Sequence, residues 1–263
     1  MKRLVSLILI ACFAVSLGAQ AKGREDVKYN IIYIGNSITA GALHADRTKT
    51  APPVTTTDIV ADKLPAKVGK VADFRNCGRS GATTVDFLPA LNRDFRRVEK
   101  AIADFKSQEG GENATFVFSI MLGTNDSAST GPTGAPVSNE DYKKNLLTIV
   151  ARCRELCPGA IFVLQRPVWY SPNTYNGARY LVAGLNRVTD YVNILVELAN
   201  ENQDIFLGDC DSYDLMKFEY KKYMFAEPGN AGTFYLHPNE AGAAKMGKNW
   251  AKAIVAAIKS SAR

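Results

Sequence analysis

Histidine and cysteine are scarce in this chain. The 263 residues include two histidines and five cysteines, and no two cysteines are separated by two residues. Protein zinc sites commonly need four such ligands, often with closely spaced cysteine pairs. The sequence therefore predicts no metal site, and it gives no indication of another cofactor.

Long apolar runs are also lacking, with one exception at the beginning of the chain. Residues 4–17 are predominantly apolar, a run shorter than the roughly 20 residues that a membrane-spanning helix needs. They follow Met1-Lys2-Arg3 and precede Gly18-Ala19-Gln20-Ala21, an order typical of a secretory signal peptide. We expect cleavage after Ala21 and a secreted or periplasmic mature protein without an integral membrane segment. The alternative is a lipid anchor on Cys12, whose three preceding residues resemble a bacterial lipoprotein box.

No internal repeat, low-complexity tract or linker divides the rest of the chain. Residues 22–263 are therefore predicted to form a single domain. The formal net charge is +6, but the basic residues are scattered apart from short groups such as Arg96-Arg97. This distribution is typical of a solvated surface, so no nucleic-acid partner is predicted.

Apolar, strand-like segments alternate with segments of helical periodicity along the mature sequence. Such alternation is typical of a parallel sheet covered on both faces. The sequence therefore predicts an α/β fold, a three-layer α/β/α sandwich with a five-stranded parallel sheet. We expect strands near residues 30–34, 70–76, 114–122, 160–164 and 204–207. We expect helices at 58–64, 85–106, 138–157, 178–202 and 239–259, with a loop over 44–57.

Polar residues suited to chemistry come where the predicted strands end. The apolar run Ile31–Ile34 stops at Gly35-Asn36-Ser37, and the third strand is followed by Gly123-Thr124-Asn125-Asp126. Because parallel strands place their carboxyl ends at one edge of a sheet, these residues can converge there. Ser37 is the candidate nucleophile, although a serine in this position can also serve only as the N-cap of the next helix.

Acyl transfer needs a nucleophile, a base and hydrogen-bond donors for the developing oxyanion. Three donors are predicted to form an oxyanion hole: the N–H of Ser37, the N–H of Gly78 after the second strand, and the side-chain amide of Asn125. Glycine suits the second position because it lets a substrate oxygen approach the backbone closely.

The base has two candidates. His237 is favoured because Pro238-Asn239-Glu240 begins a helix and fixes the backbone beside it. His44 lies in a polar loop, where a histidine is usually solvated. Ser80 is a rival nucleophile, but residue 82 is alanine and the G-x-S-x-G elbow is therefore incomplete.

Four blocks together resemble the SGNH hydrolases, the GDSL-like esterase and lipase superfamily: Gly35-Asn36-Ser37, Gly78, Gly123-Thr124-Asn125-Asp126 and His237-Pro238-Asn239. The resemblance covers almost the whole mature chain and implies the flavodoxin-like SGNH hydrolase fold. It also implies a serine esterase with Ser37 as nucleophile, His237 as base, and Gly78 and Asn125 among the oxyanion donors. Compact exported members of this kind resemble carbohydrate O-acetylesterases.

One position departs from that resemblance. The family usually carries an aspartate three residues before the histidine, and Phe234 stands there in this chain. An imidazole that faces a serine with one nitrogen needs an acceptor for the N–H of the other. We therefore predict a Ser37–His237 dyad oriented by a main-chain carbonyl near Phe234. A displaced acid is the alternative, with four candidates: Asp209, Asp211, Asp214 and Glu227.

Aromatic side chains and an arginine flank the predicted site in the sequence. Aromatic faces beside hydrogen-bonding groups suit sugar rings. Four residues are predicted to contact substrate: Arg166, Trp169, Tyr170 and Tyr235. We expect an acylated carbohydrate, above all an O-acetyl ester, or another small ester. Two alternatives stay open, a lipase or lysophospholipase and a glycan-binding protein on a decayed hydrolase scaffold.

Overall fold

A five-stranded parallel sheet forms the centre of the protein. The computed structural model describes residues 27–262, so the predicted signal peptide and the alternative at Cys12 lie outside the described residues. The strands in chain order are β1 (Lys28–Gly35), β2 (Lys70–Asn76), β3 (Thr115–Met121), β4 (Ile161–Leu164) and β5 (Ile205–Leu207). They lie in the order β2-β1-β3-β4-β5, and every neighbouring pair is parallel.

Helices cover both faces of this sheet. They are α1 (Ser37–Ala40), α2 (Arg47–Thr50), α3 (Pro52–Lys63), α4 (Phe95–Lys106), α5 (Asn139–Leu156), α6 (Leu181–Glu201), α7 (Asp211–Tyr223) and α8 (Glu240–Ser261). The apolar residues of α4, α5 and most of α6 join one core, and those of α3, α7 and α8 join the other. The predicted three-layer α/β/α sandwich is thereby confirmed.

Strand β1 shows why the sheet was readable from the sequence. Every residue from Tyr29 to Gly35 is buried. Ile32 belongs to one core and Tyr33 to the other, because successive side chains of a strand point to opposite faces. A strand buried on both faces is apolar throughout rather than alternating, and β1 has this pattern.

The start of helix α3 was predicted wrongly. It was expected to be a loop over 44–57, but α3 begins at Pro52. Pro52 and Pro53 occupy its first turn, where the missing N–H and the fixed φ angle of proline are tolerated. These prolines therefore start a helix instead of marking a loop.

Two other helical predictions are corrected. The helix expected over 85–106 begins only at Phe95, because the chain before it turns back and Asp94 N–H donates to the Asp86 carbonyl at 3.1 Å. Helix α7 was not predicted at all. Its buried face includes Ser212 and Tyr213, so its apolar periodicity is weak.

The described part of the chain contains four cysteines, Cys77, Cys153, Cys157 and Cys210, and all are free thiols. Burial raises the pKa of the Cys157 thiol to about 11, which keeps it in the unreactive protonated form near neutral pH. Between residues 27 and 262, no helix combines the length and the apolar character needed to cross a membrane.

Gly35 allows β1 to pass directly into α1. A Cβ atom at this position would lie 2.0 Å from Thr39 Oγ1 and 3.0 Å from the Met121 carbonyl oxygen. Thr39 is buried and β-branched, so it cannot rotate away freely. We expect Gly35→Ala to lower the free energy of unfolding by about 2 kcal/mol, a usual cost of overpacking.

Chemical denaturation measures this effect, with Gly177→Ala as the matched control. A Cβ atom at Gly177 would meet no heavy atom within 4 Å, so the control should remain within about 0.5 kcal/mol of the wild type. Equal stability of Gly35→Ala and the wild type would show that the β1–α1 junction relaxes without cost.

Candidate active site

Strand β1 delivers Ser37 to the carboxyl edge of the sheet. Asn36 caps helix α1, since its Oδ1 accepts a hydrogen bond from the Ile38 N–H at 3.0 Å. Ser37 is therefore the first helical residue and not the N-cap. Its N–H has no acceptor within the helix, and its side chain faces a cavity at the edge of the sheet.

His237 reaches the same cavity from the start of helix α8. Its Nε2 lies 2.9 Å from Ser37 Oγ, which is hydrogen-bond distance. Asn239 accepts a hydrogen bond from the Gly242 N–H at 3.0 Å and so caps α8. This cap fixes the chain directly after His237. The structure thus brings the predicted nucleophile and the predicted base together.

A carboxylate occupies the other side of the imidazole. His237 Nδ1 lies 3.0 Å from both Glu227 Oε1 and Oε2, and the His237 main-chain N–H donates to Glu227 Oε1 at 3.0 Å. Both side chains are largely shielded, with 12% of His237 and 13% of Glu227 exposed. The prediction of a main-chain carbonyl at this position is therefore wrong, since a displaced acid orients the ring.

The hairpin around Glu227 explains how the acid is displaced. Glu227 and Phe234 form an antiparallel bridge in which each N–H donates to the other's carbonyl at 2.9 Å. Residues that face each other in such a bridge can reach the same neighbour. The carboxylate therefore reaches His237 from the residue opposite Phe234, while the Phe234 ring is buried in the core.

The other three candidate acids do not contact the imidazole. Asp209 is buried, and its Oδ1 accepts a hydrogen bond from the Ser212 N–H at 3.1 Å. Asp211 and Asp214 are exposed in the first turn of α7, where acidic residues favour the helix N-terminus. Their roles are structural.

Asn125 is held in one orientation by two neighbours. Its Nδ2 donates to the Ala82 carbonyl at 2.9 Å, and its Oδ1 accepts from the Tyr180 hydroxyl at 2.7 Å. An amide nitrogen carries two hydrogens, so one N–H remains for a substrate oxyanion. Burial raises the pKa of Tyr180 well above its usual value, which keeps the hydroxyl protonated as a donor. Sequence reasoning did not identify Tyr180, because it follows a loop without a recognisable motif.

Gly78 is not in the active-site cavity, and this corrects its predicted role. Its N–H donates to Asn76 Oδ1 at 2.9 Å. A Cβ atom at Gly78 would lie 2.7 Å from the Ala40 nitrogen, so glycine is needed there for packing against α1. Gly81 lines the cavity instead, with a φ of 78°. Within the described chain, its N–H makes no hydrogen bond.

After β2 ends, the chain stays extended beside β1. This explains why the glycine that lines the cavity is Gly81, three residues later than predicted. The Arg79 N–H still donates to the Gly35 carbonyl at 3.1 Å. The turn at the open edge therefore comes at Ser80 and Gly81. A second glycine so soon after Gly78 is the sequence signal that could have identified this turn.

The active-site cavity has a volume of about 420 Å³ and opens to solvent. It is lined by Ser37, Ala42, Ser80, Gly81, Asn125, Gly131, Pro132, Asn176, Gly177, Ala178, Tyr180, Leu236 and His237. His237 is the only ionisable side chain among them apart from the Tyr180 phenol. The lining therefore suits a small, uncharged group.

None of the four predicted substrate-contacting residues lines this cavity. Tyr170 is fully buried and its hydroxyl lies 2.8 Å from Ser127 Oγ. Trp169 and Tyr235 pack against other aromatic rings, and the Arg166 guanidinium lies over the Tyr213 ring at 3.7 Å. Trp169 and Tyr170 are buried in the core, and Arg166 and Tyr235 are held by other aromatic rings outside the cavity, so these predictions are corrected.

His44 lies outside the cavity. Its Nε2 is 3.1 Å from the Pro238 carbonyl and its Nδ1 is 3.0 Å from Thr50 Oγ1, so it connects the end of α2 with the segment before α8. Residues 27–262 contain no group of three or more histidine, cysteine, aspartate or glutamate side chains arranged to hold a metal ion.

A buried carboxylate supports the loop that carries Asn125. Asp126 accepts hydrogen bonds from the Thr84 N–H at 2.8 Å, from the Thr84 hydroxyl, and from the Gly123 N–H at 3.1 Å. Because the carboxylate is fully buried, its pKa rises to about 6 despite these donors.

A comparison with protein families identifies one match. The sequence profile of the GDSL-like lipase/acylhydrolase family matches residues 33–245. No curated protein sequence matches the chain at a significant level.

Several solved structures share the fold over most of their length. A lipase/acylhydrolase from Enterococcus faecalis is 18% identical, with a TM-score of 0.55 over 87% of this chain and 96% of its own. Est24, a carbohydrate acetylesterase from Sinorhizobium meliloti, is 14% identical, with a TM-score of 0.57 over 87% and 99%. Axe2, an acetylxylan esterase from Geobacillus stearothermophilus, is 18% identical, with a TM-score of 0.56 over 89% and 96%.

The Glu227 carboxylate is expected to stabilise the imidazolium that forms when His237 takes a proton. Glu227→Gln keeps a hydrogen-bonding group but removes the charge, so kcat for p-nitrophenyl acetate should fall about a hundredfold or more with little change in KM. Asp214→Asn, an exposed acid on α7, is the matched control and should retain wild-type kinetics. A Glu227→Gln variant with nearly full kcat would return the orienting role to the backbone.

The Tyr180 hydroxyl is expected to act by positioning the Asn125 amide. Tyr180→Phe should lower kcat about tenfold without raising KM. The hydrogen bond from an oxyanion donor becomes strong only in the transition state, so its loss affects kcat and not substrate binding. In an Asn125→Ala background the same change should cost nothing further, because coupled residues are not additive. Tyr170→Phe removes another buried hydroxyl as a control; additive effects of Tyr180 and Asn125 would refute the coupling.

The raised pKa of Asp126 makes stability depend on pH. The unfolded chain releases this proton near pH 4 and the folded protein near pH 6, so stability falls as pH rises through this window. Asp126→Asn should be less stable overall but lack this component. The difference in free energy of unfolding between variant and wild type should shrink by roughly 2 kcal/mol from pH 4 to pH 7, measured by urea denaturation. A constant difference would contradict the shift.

Proposed function

The chain belongs to the GDSL-like lipase/acylhydrolase family and is a carboxylic ester hydrolase, and we propose that it is an exported serine esterase that removes O-acetyl groups from carbohydrates. The observation that carries the mechanism is the hydrogen-bonded series Ser37–His237–Glu227. Its members stand in the order nucleophile, base and acid that acyl transfer requires.

In the first half-reaction, Ser37 Oγ attacks the carbonyl carbon of the ester and its proton passes to His237 Nε2. The Glu227 carboxylate stabilises the resulting imidazolium. The oxyanion accepts hydrogen bonds from the free N–H of Asn125 and from the main-chain N–H groups of Ser37 and Gly81. The sugar alcohol then leaves with the proton from His237, and an acyl-enzyme remains on Ser37.

In the second half-reaction, water takes the place of the alcohol. His237 removes a proton from the water as it attacks the acyl carbon, and the same donors stabilise the second oxyanion. Collapse of this intermediate returns the proton to Ser37 Oγ and releases the carboxylic acid. These side chains and backbone amides are sufficient for both half-reactions.

The proposed carbohydrate substrate is supported by the cavity and by two relatives in fold. Small and polar residues form most of the cavity wall, including Ser80 and Asn176, and Leu236 is its largest aliphatic side chain. A cavity of about 420 Å³ with walls of mainly short side chains leaves little room for a long acyl chain. Est24 is a carbohydrate acetylesterase and Axe2 an acetylxylan esterase. An O-acetyl group on a sugar fits this combination better than a lipid ester.

The alternative of a glycan-binding protein on a decayed hydrolase scaffold is no longer supported. It depended on Phe234 in the usual place of the acid, and Glu227 supplies a carboxylate to the same imidazole. Export is supported by the sequence of residues 1–21, with the basic start and apolar run of a signal peptide.

The proposal predicts activity on acetylated xylo-oligosaccharides and a preference for short acyl chains. The wild type should release acetate and hydrolyse p-nitrophenyl acetate much faster than the palmitate ester. Ser37→Ala should remain folded and lose both activities, because the acyl-enzyme cannot form. Faster hydrolysis of the palmitate ester would favour a lipase, and full activity of Ser37→Ala would overturn the nucleophile.

A further inference from the structure

An arginine-rich concave surface adjoins the active-site cavity. One part is a cleft of about 410 Å³ whose lining includes Arg79, Arg93, Arg96 and Arg97. A neighbouring cleft of about 390 Å³ is lined by Arg47 and again by Arg97. The arginine cleft is defined here by these five arginines.

The arginine cleft and the active-site cavity meet along two segments of the chain. Ser80 lines the cavity while the preceding Arg79 lines the cleft. In the same way, Pro132 lines the cavity and Thr133 lines the cleft. A polymer with one unit at Ser37 therefore reaches the arginines when it extends in this direction.

Two shielded carboxylates hold part of the cleft in place. Asp86 pairs with Arg79 at 2.8 Å and with Arg93 at 3.0 Å. Asp94 pairs with Arg79 at 2.5 Å and lies 3.5 Å from Arg97. The side chains of Arg93 and Arg97 nevertheless remain 55% and 50% exposed. Their guanidinium groups are thus held by ion pairs with Asp86 and Asp94 and remain accessible to solvent.

Positive charge is in excess on this surface. Arg47 and Arg96 are exposed and have no ion-pair partner within residues 27–262. Asp46, the neighbour of Arg47, pairs instead with Lys49 at 3.0 Å. The five arginines face only the two carboxylates of Asp86 and Asp94, which leaves a surplus of three positive charges.

Two of the arginines lie at the N-terminus of helix α4, where positive charge is unfavourable. Arg96 and Arg97 stand in its first turn, which contains no acidic residue. A helix N-terminus carries partial positive charge, so cations destabilise it there. Asp94, at the N-cap, makes no capping hydrogen bond and pairs with arginines instead. Violations of such local rules are expected at functional or strained sites, and a bound anion would reduce the repulsion between the arginines and the helix N-terminus.

We propose that the arginine cleft binds the carboxylate or sulfate groups of an acidic polysaccharide whose O-acetyl ester lies at Ser37. The inference rests on the proposed function and narrows its substrate class. Guanidinium groups match the geometry of such oxyanions with paired hydrogen bonds. The larger part of the cleft has no apolar side chain in its lining, so this part offers no contact to the apolar chains of a lipid. A separate polyanion does not explain the continuity with the ester site.

The test compares an acidic with a neutral substrate in the double variant Arg47→Gln/Arg96→Gln. Both residues lack ion-pair partners, so the fold should be retained. The value of kcat/KM should fall about tenfold for an acetylated oligogalacturonide and stay within twofold for an acetylated xylo-oligosaccharide. In 1 M NaCl, where the screening length is about 3 Å, most of the difference should disappear. Lys248→Gln/Lys252→Gln, on α8 in a separate cleft that contains no arginine, removes the same charge as a control.

Inhibition identifies the anion. Deacetylated polygalacturonate and dextran sulfate should inhibit xylo-oligosaccharide turnover by the wild type more than by the double variant, and the stronger inhibitor shows whether carboxylate or sulfate is preferred. Equal losses on both substrates, the same loss in the lysine control, or no selective inhibition would overturn the inference alone. An enzyme that hydrolyses p-nitrophenyl acetate but neither oligosaccharide would overturn the proposed function, and this inference with it.

Discussion

The placement of one imidazole ring organises the whole site. His237 lies between Ser37 Oγ at 2.9 Å and the Glu227 carboxylate at 3.0 Å, and these three residues come from three separate parts of the chain. Strand β1 and the Asn36 cap fix Ser37, the start of α8 fixes His237, and a two-stranded bridge fixes Glu227. If any of these supports shifted, the imidazole would lose a partner and with it its tautomer.

Buried carboxylates position the loop and the turn that supply the proposed oxyanion donors, Asn125 and Gly81. Asp126 ties the loop of Asn125 to Thr84, and Arg79 ties the turn at Gly81 to Asp86 and Asp94. A buried carboxylate needs hydrogen-bonding or oppositely charged partners, and these contacts connect both loops to the rest of the structure. Arg79 has a second consequence, because it links the oxyanion turn to the arginine cleft proposed to hold an acidic polysaccharide.

The parts of the fold that could be predicted are those encoded locally. The apolar run of β1 and its abrupt end at Ser37 require only neighbouring residues, and the same is true of the loop at Asn125 and the helix start after His237. Glu227 could not be assigned, because its contact depends on which residue pairs with Phe234 across a hairpin. No periodic pattern in that segment determines the pairing.

Two other errors had similar causes. Gly78 was assigned to the oxyanion hole because it follows the predicted second strand, yet the chain stays extended until Arg79. The aromatic residues after β4 were assigned to substrate because they follow a strand end. Trp169 and Tyr170 instead complete the core, which only the path of the folded chain could reveal.

Covalent labelling tests the central claim most directly. Diethyl p-nitrophenyl phosphate phosphorylates a serine only where a base activates it and an oxyanion hole receives the phosphoryl oxygen. The account predicts one phosphoryl group per molecule, located by peptide mass spectrometry on Ser37 and lost together with esterase activity. Labelling of Ser80, or full inhibition without modification of Ser37, would contradict it.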